Sequence, residues 1–370
     1  MRSVLKRVLA VLLGLGVAFA CAEVTLRLTQ PAIDLKTLTG KQGGKHPMAS
    51  WAAVDAFSAY RAIPGNYPNG TGGKTVNTHG FISTPEIAYR KPEGTVRVVF
   101  LGGSSTACNE LSDEHTWPWR ATEELRKLVP NQPIELINGA LGGYTTFESY
   151  GRLWSRLRFF DPDIVVVYHG WNELYYFKDA ADARRWRVPK EGGWGFDRPV
   201  QLIRIKPHWI DPYIEWSSLF CRIRRQWFSE PLNETGKSAP LASDFDPQGP
   251  QVFRQNLRLL LAAGEALGFE TVVVKQATLI TPELPQRLRD SCRYELHGFD
   301  HDAHVRAFAA VYDVIDDEVR PDRIVDATHL SGRERFFNDH IHLTQDGAHE
   351  LGRLVASGLA PRVRSLRKKQ

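Results

Sequence analysis

From Arg97 onward the chain alternates short apolar runs with helical patterns, and this alternation constrains the fold more than any other feature. Val98-Val99-Phe100-Leu101 runs into Gly102-Gly103, as expected of a buried strand feeding a tight turn. Similar runs fall at Ile134–Ile137, Ile164–Tyr168, Thr271–Lys275 and Arg323–Val325. Between and after them, apolar spacing predicts helices over Ala121–Leu128, Phe147–Phe159, Gln251–Leu267, His304–Val319 and Ala348–Leu359. Strands separated by helices need crossover connections, hence a parallel sheet covered on both faces. The expected fold class is α/β, a three-layer α/β/α sandwich around a central parallel sheet of about five strands.

The remaining segments divide the chain of 370 residues into parts. Residues 1–28 read as an export signal or anchor. Arg2, Lys6 and Arg7 precede an apolar run from Val8 to Ala22, which Glu23 ends. Three fates compete: cleavage after Ala18-Phe19-Ala20, a lipoprotein-like site at Cys21, or an uncleaved anchor extended through Val24, Leu26 and Leu28. The anchor is favoured, and in each case the basic end stays inside and the bulk is exported. Residues 29–94 read as an irregular extension on the main domain. Within it Tyr60–Pro68 and Val76–Phe81 look like extended chain on a larger body. The main domain covers 95–360, and 361–370 is a basic tail.

Charge excludes one class of partner. The formal net charge is +5, but eight cations sit at the two ends: Arg2, Lys6, Arg7, Arg362, Arg364, Arg367, Lys368 and Lys369. The body between them is therefore mildly acidic, and no nucleic-acid partner is expected. Four cysteines are too few for a disulfide scaffold, although Cys221 and Cys292 could pair in an oxidising compartment. No pair has the spacing of a zinc site, so no metal is expected.

The alternation breaks once, in an insertion at 174–250 that carries Trp186, Trp194, Trp209, Trp216 and Trp227, half of the ten tryptophans. An insertion after a parallel strand lies over the edge where such sheets bind ligands. It reads as a lid whose rings stack on sugars, or as a segment packed on its own tryptophans or resting on a membrane surface.

The chemistry-bearing residues cluster at strand ends. Ser104 follows the first strand and the two glycines, as a nucleophile or a helix N-cap. Asp339 and His342 are three apart in Asn338-Asp-His-Ile-His-Leu-Thr344. That spacing lets the carboxylate reach Nδ1 and leaves Nε2 free to take a proton from a serine. His340 is a decoy, because adjacent side chains diverge. Gly143, in Asn138-Gly-Ala-Leu-Gly-Gly143-Tyr-Thr, follows the second strand and can turn an N–H toward a ligand. Asn172, in Gly170-Trp-Asn172-Glu173, follows the third and can donate an amide N–H to an oxyanion.

In order, these blocks resemble the SGNH hydrolase superfamily, the GDSL-like lipases and esterases. Gly102-Gly103-Ser104 matches its Gly-Asp-Ser, Gly143 its second-block glycine, Asn172 its third-block asparagine, and Asp339 to His342 its Asp-x-x-His. The resemblance covers roughly 96–358 without the insertion, and Tyr60–Phe81 resembles the lead-in of membrane-anchored bacterial members. Gly103 stands for Asp, Glu173 for the Asp after the asparagine, and Cys108 for a frequent Gly. The resemblance implies a flavodoxin-like SGNH fold and a Ser104–His342–Asp339 triad. It also implies an oxyanion hole from Ser104, Gly143 and Asn172, and no cofactor. The expected activity is exported hydrolysis of acyl esters, acetyl foremost, on polysaccharide or envelope glycan. An O-acyltransferase with the same triad and a non-catalytic glycan-binding or assembly protein remain the alternatives.

Overall fold

In the computed structural model of the protein, residues 2–29, 52–55, 57–69, 72–178 and 240–367 are described, with 194–195, 204–205, 217, 219–220 and 223. The chain divides into two compact units, Met1–Ala53 with Arg187–Gly236, and Val54–Trp186 with Lys237–Gln370.

The second unit is built on five parallel strands: β1 (Val96–Gly102), β2 (Ile134–Asn138), β3 (Ile164–Tyr168), β4 (Glu270–Lys275) and β5 (Ile324–Asp326). Their spatial order is β5-β4-β3-β1-β2. β1 lies between β2 and β3, with Phe100 paired to Asn138 on one side and Val166 on the other. Every residue of β1 and β3 is buried. That is why their sequences are apolar runs rather than alternating ones, β1 broken only by the buried Arg97, as a sheet covered on both faces requires. Helices α2 (Trp117–Leu128) and α6 (Gln345–Arg367) pack together on one face. On the other, α4 (Gly249–Leu267) packs against α3 (Thr146–Ser155) and α5 (His301–Glu318). The result is a three-layer α/β/α sandwich in which strand order reverses between β1 and β3, the crevice where open α/β sheets bind ligands.

Local capping explains where the helices differ from their expected limits. Helix α2 begins at Trp117 because Thr116 caps it and Pro118 tolerates the first turn. Helix α3 opens with a capping box: Thr145 Oγ1 accepts from Phe147 N (3.2 Å) and Glu148 Oε2 from Thr145 N (2.7 Å). It stops at Ser155, and Leu157–Phe160 follow as a separate 3₁₀ turn. The segment read as a basic tail is helical as far as Arg367. Arg362 pairs with Glu270, Val363 is buried, and an Arg364 guanidinium N–H donates to Leu128 O at 3.0 Å. These contacts carry α6 through Pro361.

Upstream of the sheet, Gly65–Asn69 and Gly72–Val76 form an antiparallel hairpin, and Tyr60, Ala62, Phe81 and Ile82 are buried.

In the first unit, α1 (Arg2–Thr29) includes the 24-residue apolar stretch Lys6–Thr29, within which an 18-residue window has mean hydropathy 2.2. That length and composition suit a membrane span or a signal sequence. Glu23 on α1 accepts hydrogen bonds from Ser217 Oγ and Leu219 N, both 2.9 Å, and the Phe19 and Phe220 rings lie 5.4 Å apart. Of the expected lid, Trp186, Trp209, Trp216 and Trp227 lie outside the described residues. Trp194 belongs to a two-residue strand paired with Arg204–Ile205. Cys221 also lies outside them, and Cys292 is a free thiol.

Candidate active site

Ser104 is the first residue of a single helical turn, Ser104–Ala107, that leaves the carboxyl end of β1. It is partly exposed, whereas Ser105 beside it is buried and directs its hydroxyl at Ile341 O, 3.4 Å away. The turn therefore offers one serine, not two, to the crevice.

The partner loop follows β5. Asp339 Oδ1 accepts from Ile341 N (2.8 Å) and His342 N (2.7 Å), which tightens the loop and aims the other oxygen. Asp339 Oδ2 lies 2.7 Å from His342 Nδ1, and His342 Nε2 lies 2.8 Å from Ser104 Oγ. A carboxylate only accepts, so Nδ1 carries the hydrogen and Nε2 is left as an acceptor for the serine O–H. Burial acts to lower the His342 pKa, but the Asp339 hydrogen bond and charge outweigh it and raise it. Burial likewise works against the Asp339 carboxylate, and the His342 hydrogen bond and charge win, holding it well below the usual range. This arrangement can take a proton from a serine and stabilise the imidazolium that results.

The other two expected residues flank the same turn. Gly143 has φ +80, a conformation that favours glycine, and a Cβ there would meet Tyr60 Oη at 2.7 Å. Asn172 is in a 3₁₀ turn beyond the end of β3. Its Nδ2 donates to Tyr144 O at 2.8 Å, and a Cβ on Gly103 would meet that nitrogen at 2.4 Å. Gly103 therefore lets the Asn172 amide lie against the backbone beside Ser104. Among the described residues, the Ser104 and Gly143 N–H groups and the second Asn172 amide hydrogen donate to no protein acceptor. The three donors come from three different loops of the sheet edge.

The neighbouring positions explain departures in the sequence. Cys108 sits at φ 50, where glycine is the suited residue and another costs about 1–2 kcal/mol. Burial pushes its thiol up to about 11, so it packs as a neutral apolar group. Glu173 is buried and accepts from Thr146 N (2.7 Å) and Thr146 Oγ1 (3.0 Å), tying the third loop to the start of α3. Its burial raises the carboxyl to about 8 despite those bonds. His340 points into the fold, its ring 4.3 Å from that of Trp171, and is not joined to Ser104 or Asp339 by a hydrogen bond among the described residues. A cavity of about 420 Å³ is lined by Glu110, Leu111, Ser112, His115, Asn338 and Gln345, and Asn338 borders Asp339. No cluster of three or more metal-ligating side chains occurs among the described residues.

Sequence reasoning did not single out Tyr60, Tyr144 or Thr146 for the site. The only signal was the extended Tyr60–Pro68 segment, whose partner loop lies some eighty residues away, Tyr60 and Gly142 being 82 positions apart.

No family model matches this chain, and no curated relative does. Among solved structures it is similar to the acetyl xylan esterase AlAXEase, with 15% identity over 72% of this chain and 100% of that one and a TM-score of 0.40. It is also similar to a putative GDSL-like lipase from Parabacteroides merdae, with 12% identity, 74% and 98% coverage and a TM-score of 0.41. The acetylxylan esterase Axe2 from Geobacillus stearothermophilus gives 11% identity, 74% and 96% coverage and a TM-score of 0.39. At these values the function has to be argued from the site itself.

Proposed function

We propose that this protein is a serine esterase of the SGNH type that works through an acyl-enzyme. The observation that carries the reading is the unbroken chain from Ser104 Oγ to His342 Nε2, 2.8 Å, and from His342 Nδ1 to Asp339 Oδ2, 2.7 Å. Ser104 Oγ attacks the ester carbonyl carbon as its proton passes to His342 Nε2. Asp339 fixes the tautomer and stabilises the imidazolium. The N–H groups of Ser104 and Gly143 and the free amide hydrogen of Asn172 hold the oxyanion. Collapse breaks the C–O bond, and the leaving alkoxide takes the proton from Nε2. Water then repeats the cycle on the acyl-enzyme, returning carboxylic acid and free serine.

The favoured substrates are acyl esters, acetyl foremost, on extracellular polysaccharide or cell-envelope glycan. One feature supports the extracellular setting. Arg2, Lys6 and Arg7 ahead of the apolar part of α1 favour a cytoplasmic N-terminus and a body outside.

A fluorophosphonate probe tests the reading directly. Ser104 should be labelled, and Ser104→Ala should lose both label and p-nitrophenyl acetate turnover. Labelling elsewhere, or turnover surviving in Ser104→Ala, would sink it.

A further inference from the structure

Of the proposed oxyanion donors, the glycine loop is held by a part of the chain that lies outside the sheet. Tyr60, in the strand Ala59–Ala62, donates its hydroxyl hydrogen to Gly142 O. Its hydroxyl occupies the space a side chain at Gly143 would need. Tyr144 returns the contact, donating its own hydroxyl hydrogen to Tyr60 O and lying 3.2 Å from Ser58 Oγ. The two rings meet edge to face with centroids 5.1 Å apart. An Arg152 guanidinium N–H on α3 donates to Tyr144 Oη at 3.4 Å, and that guanidinium lies over the Phe81 and Tyr144 rings.

Tyr60, Tyr144 and Arg152 are all buried. Burial holds the Tyr60 phenol well above its ordinary pKa, so it remains a donor. The Tyr144 carbonyl in turn accepts from Asn172 Nδ2 at 2.8 Å. One chain of contacts therefore runs from the extension through residues 142–144 to Asn172 and reaches two of the three donors.

Resting on the esterase reading above, we propose that Tyr60 is a positioning residue. It fixes the Gly142–Tyr144 loop so that the Gly143 N–H and the Asn172 amide point where the oxyanion forms. Removing the Tyr60 hydroxyl leaves Gly142 O without its partner and frees a glycine whose backbone has no side chain of its own to restrain it. The loop then has to be ordered during the reaction rather than before it. Preorganisation of donors contributes to the transition state and not to ground-state binding.

The test is Tyr60→Phe in the full chain, with p-nitrophenyl acetate as substrate and a trifluoromethyl ketone as transition-state mimic. The expected result is a kcat lower by roughly 10- to 100-fold with KM within about twofold, a fraction of the loss from deleting a donor outright. Affinity for the ketone, whose adduct oxygen takes the oxyanion position, should fall by the same factor. Assays run well below the melting temperature keep the variant folded, so stability alone moves neither quantity. Tyr144→Phe should act in the same direction, and the double variant should lose less than the product of the single losses. Wild-type kcat and ketone affinity in Tyr60→Phe, or fully multiplicative losses, would overturn the proposal. Ser104→Ala is assayed alongside. If it stays active the esterase reading has failed, whereas an inactive Ser104→Ala beside an unaffected Tyr60→Phe removes the positioning role alone.

Discussion

His342 and His340 leave the same short loop and end in opposite surroundings. His342 faces a carboxylate at 2.7 Å and a serine hydroxyl at 2.8 Å, and its pKa is raised. His340 turns into the protein, where its ring meets Trp171, and burial lowers it to about 4. Trp171 also stacks on His304 at 5.5 Å and meets His297 at 4.3 Å, so the interior holds a group of imidazoles around one indole. His304, lowered to about 4 chiefly by burial, shares that setting. The side chain is the same in both places. A carboxylate within hydrogen-bond reach raises its pKa and leaves Nε2 facing a serine hydroxyl, and a desolvated aromatic wall makes it a neutral packing group.

The largest effect that separates the two regions is catalytic. His342→Ala should lower kcat by at least about 10⁴-fold, matching Ser104→Ala, because members of such a unit fail together. His340→Ala should keep most of the activity of its folded fraction. Steady-state kinetics with a titratable ester on both variants checks this. A dead, folded His340→Ala beside an active His342→Ala would mean that the roles are reversed.

How much of this could be read in advance follows from the physics of each part. The apolar runs Val98–Leu101 in β1 and Ile164–Tyr168 in β3 are visible because burial on both faces leaves no alternation to confuse them. Asp339 and His342 are legible because three positions within one loop fix their meeting. Helix limits are not legible where caps and long-range contacts decide them, as at Thr116 and along Pro361–Arg367. The contact of Tyr60 with the glycine loop is not legible because its partner Gly142 is brought to it by folding, not by spacing. The direction of His340 was foreseen only as a divergence from Asp339, since nothing local announces Trp171.

An intermediate effect tests whether the sheet edge contributes more than the triad. Asn172 gives one amide hydrogen to Tyr144 O, and the other donates to no protein acceptor among the described residues. Asn172→Ala should lower kcat by roughly 10²–10³ and change KM little, the pattern for loss of one transition-state donor. If the residue only shapes the turn, the variant will melt earlier but turn over normally when folded. Measuring kcat, KM and melting temperature on one preparation distinguishes the two. An unchanged kcat would leave the backbone donors of Ser104 and Gly143 to hold the charge.

The smallest effect concerns stability, where the two histidines should pull in opposite directions. An unfolded histidine titrates near 6.5, and folded His340 and His304 titrate near 4. Between those values the unfolded chain binds more protons than the folded one, so unfolding free energy rises with pH across the window. Their contribution is thus in place above about pH 6.5 and is lost progressively as the pH falls toward 4. His342 has the reverse sign. Its raised pKa means that the folded state holds its proton longer, so the Asp339 pair stabilises fully below about pH 6.5 and loses that contribution as the pH rises through the folded value. Urea unfolding from pH 4 to pH 8 should therefore show a shallower acid slope in His340→Ala than in the wild type, whatever its absolute stability. His342→Ala should keep the acid slope and lessen the decline on the alkaline side, leaving the share that Glu173, raised to about 8 by burial, contributes. A His340→Ala slope equal to that of the wild type would mean that the imidazole beside Trp171 finds a way to be protonated within the fold, and the contrast between the two settings would then be one of position without one of charge.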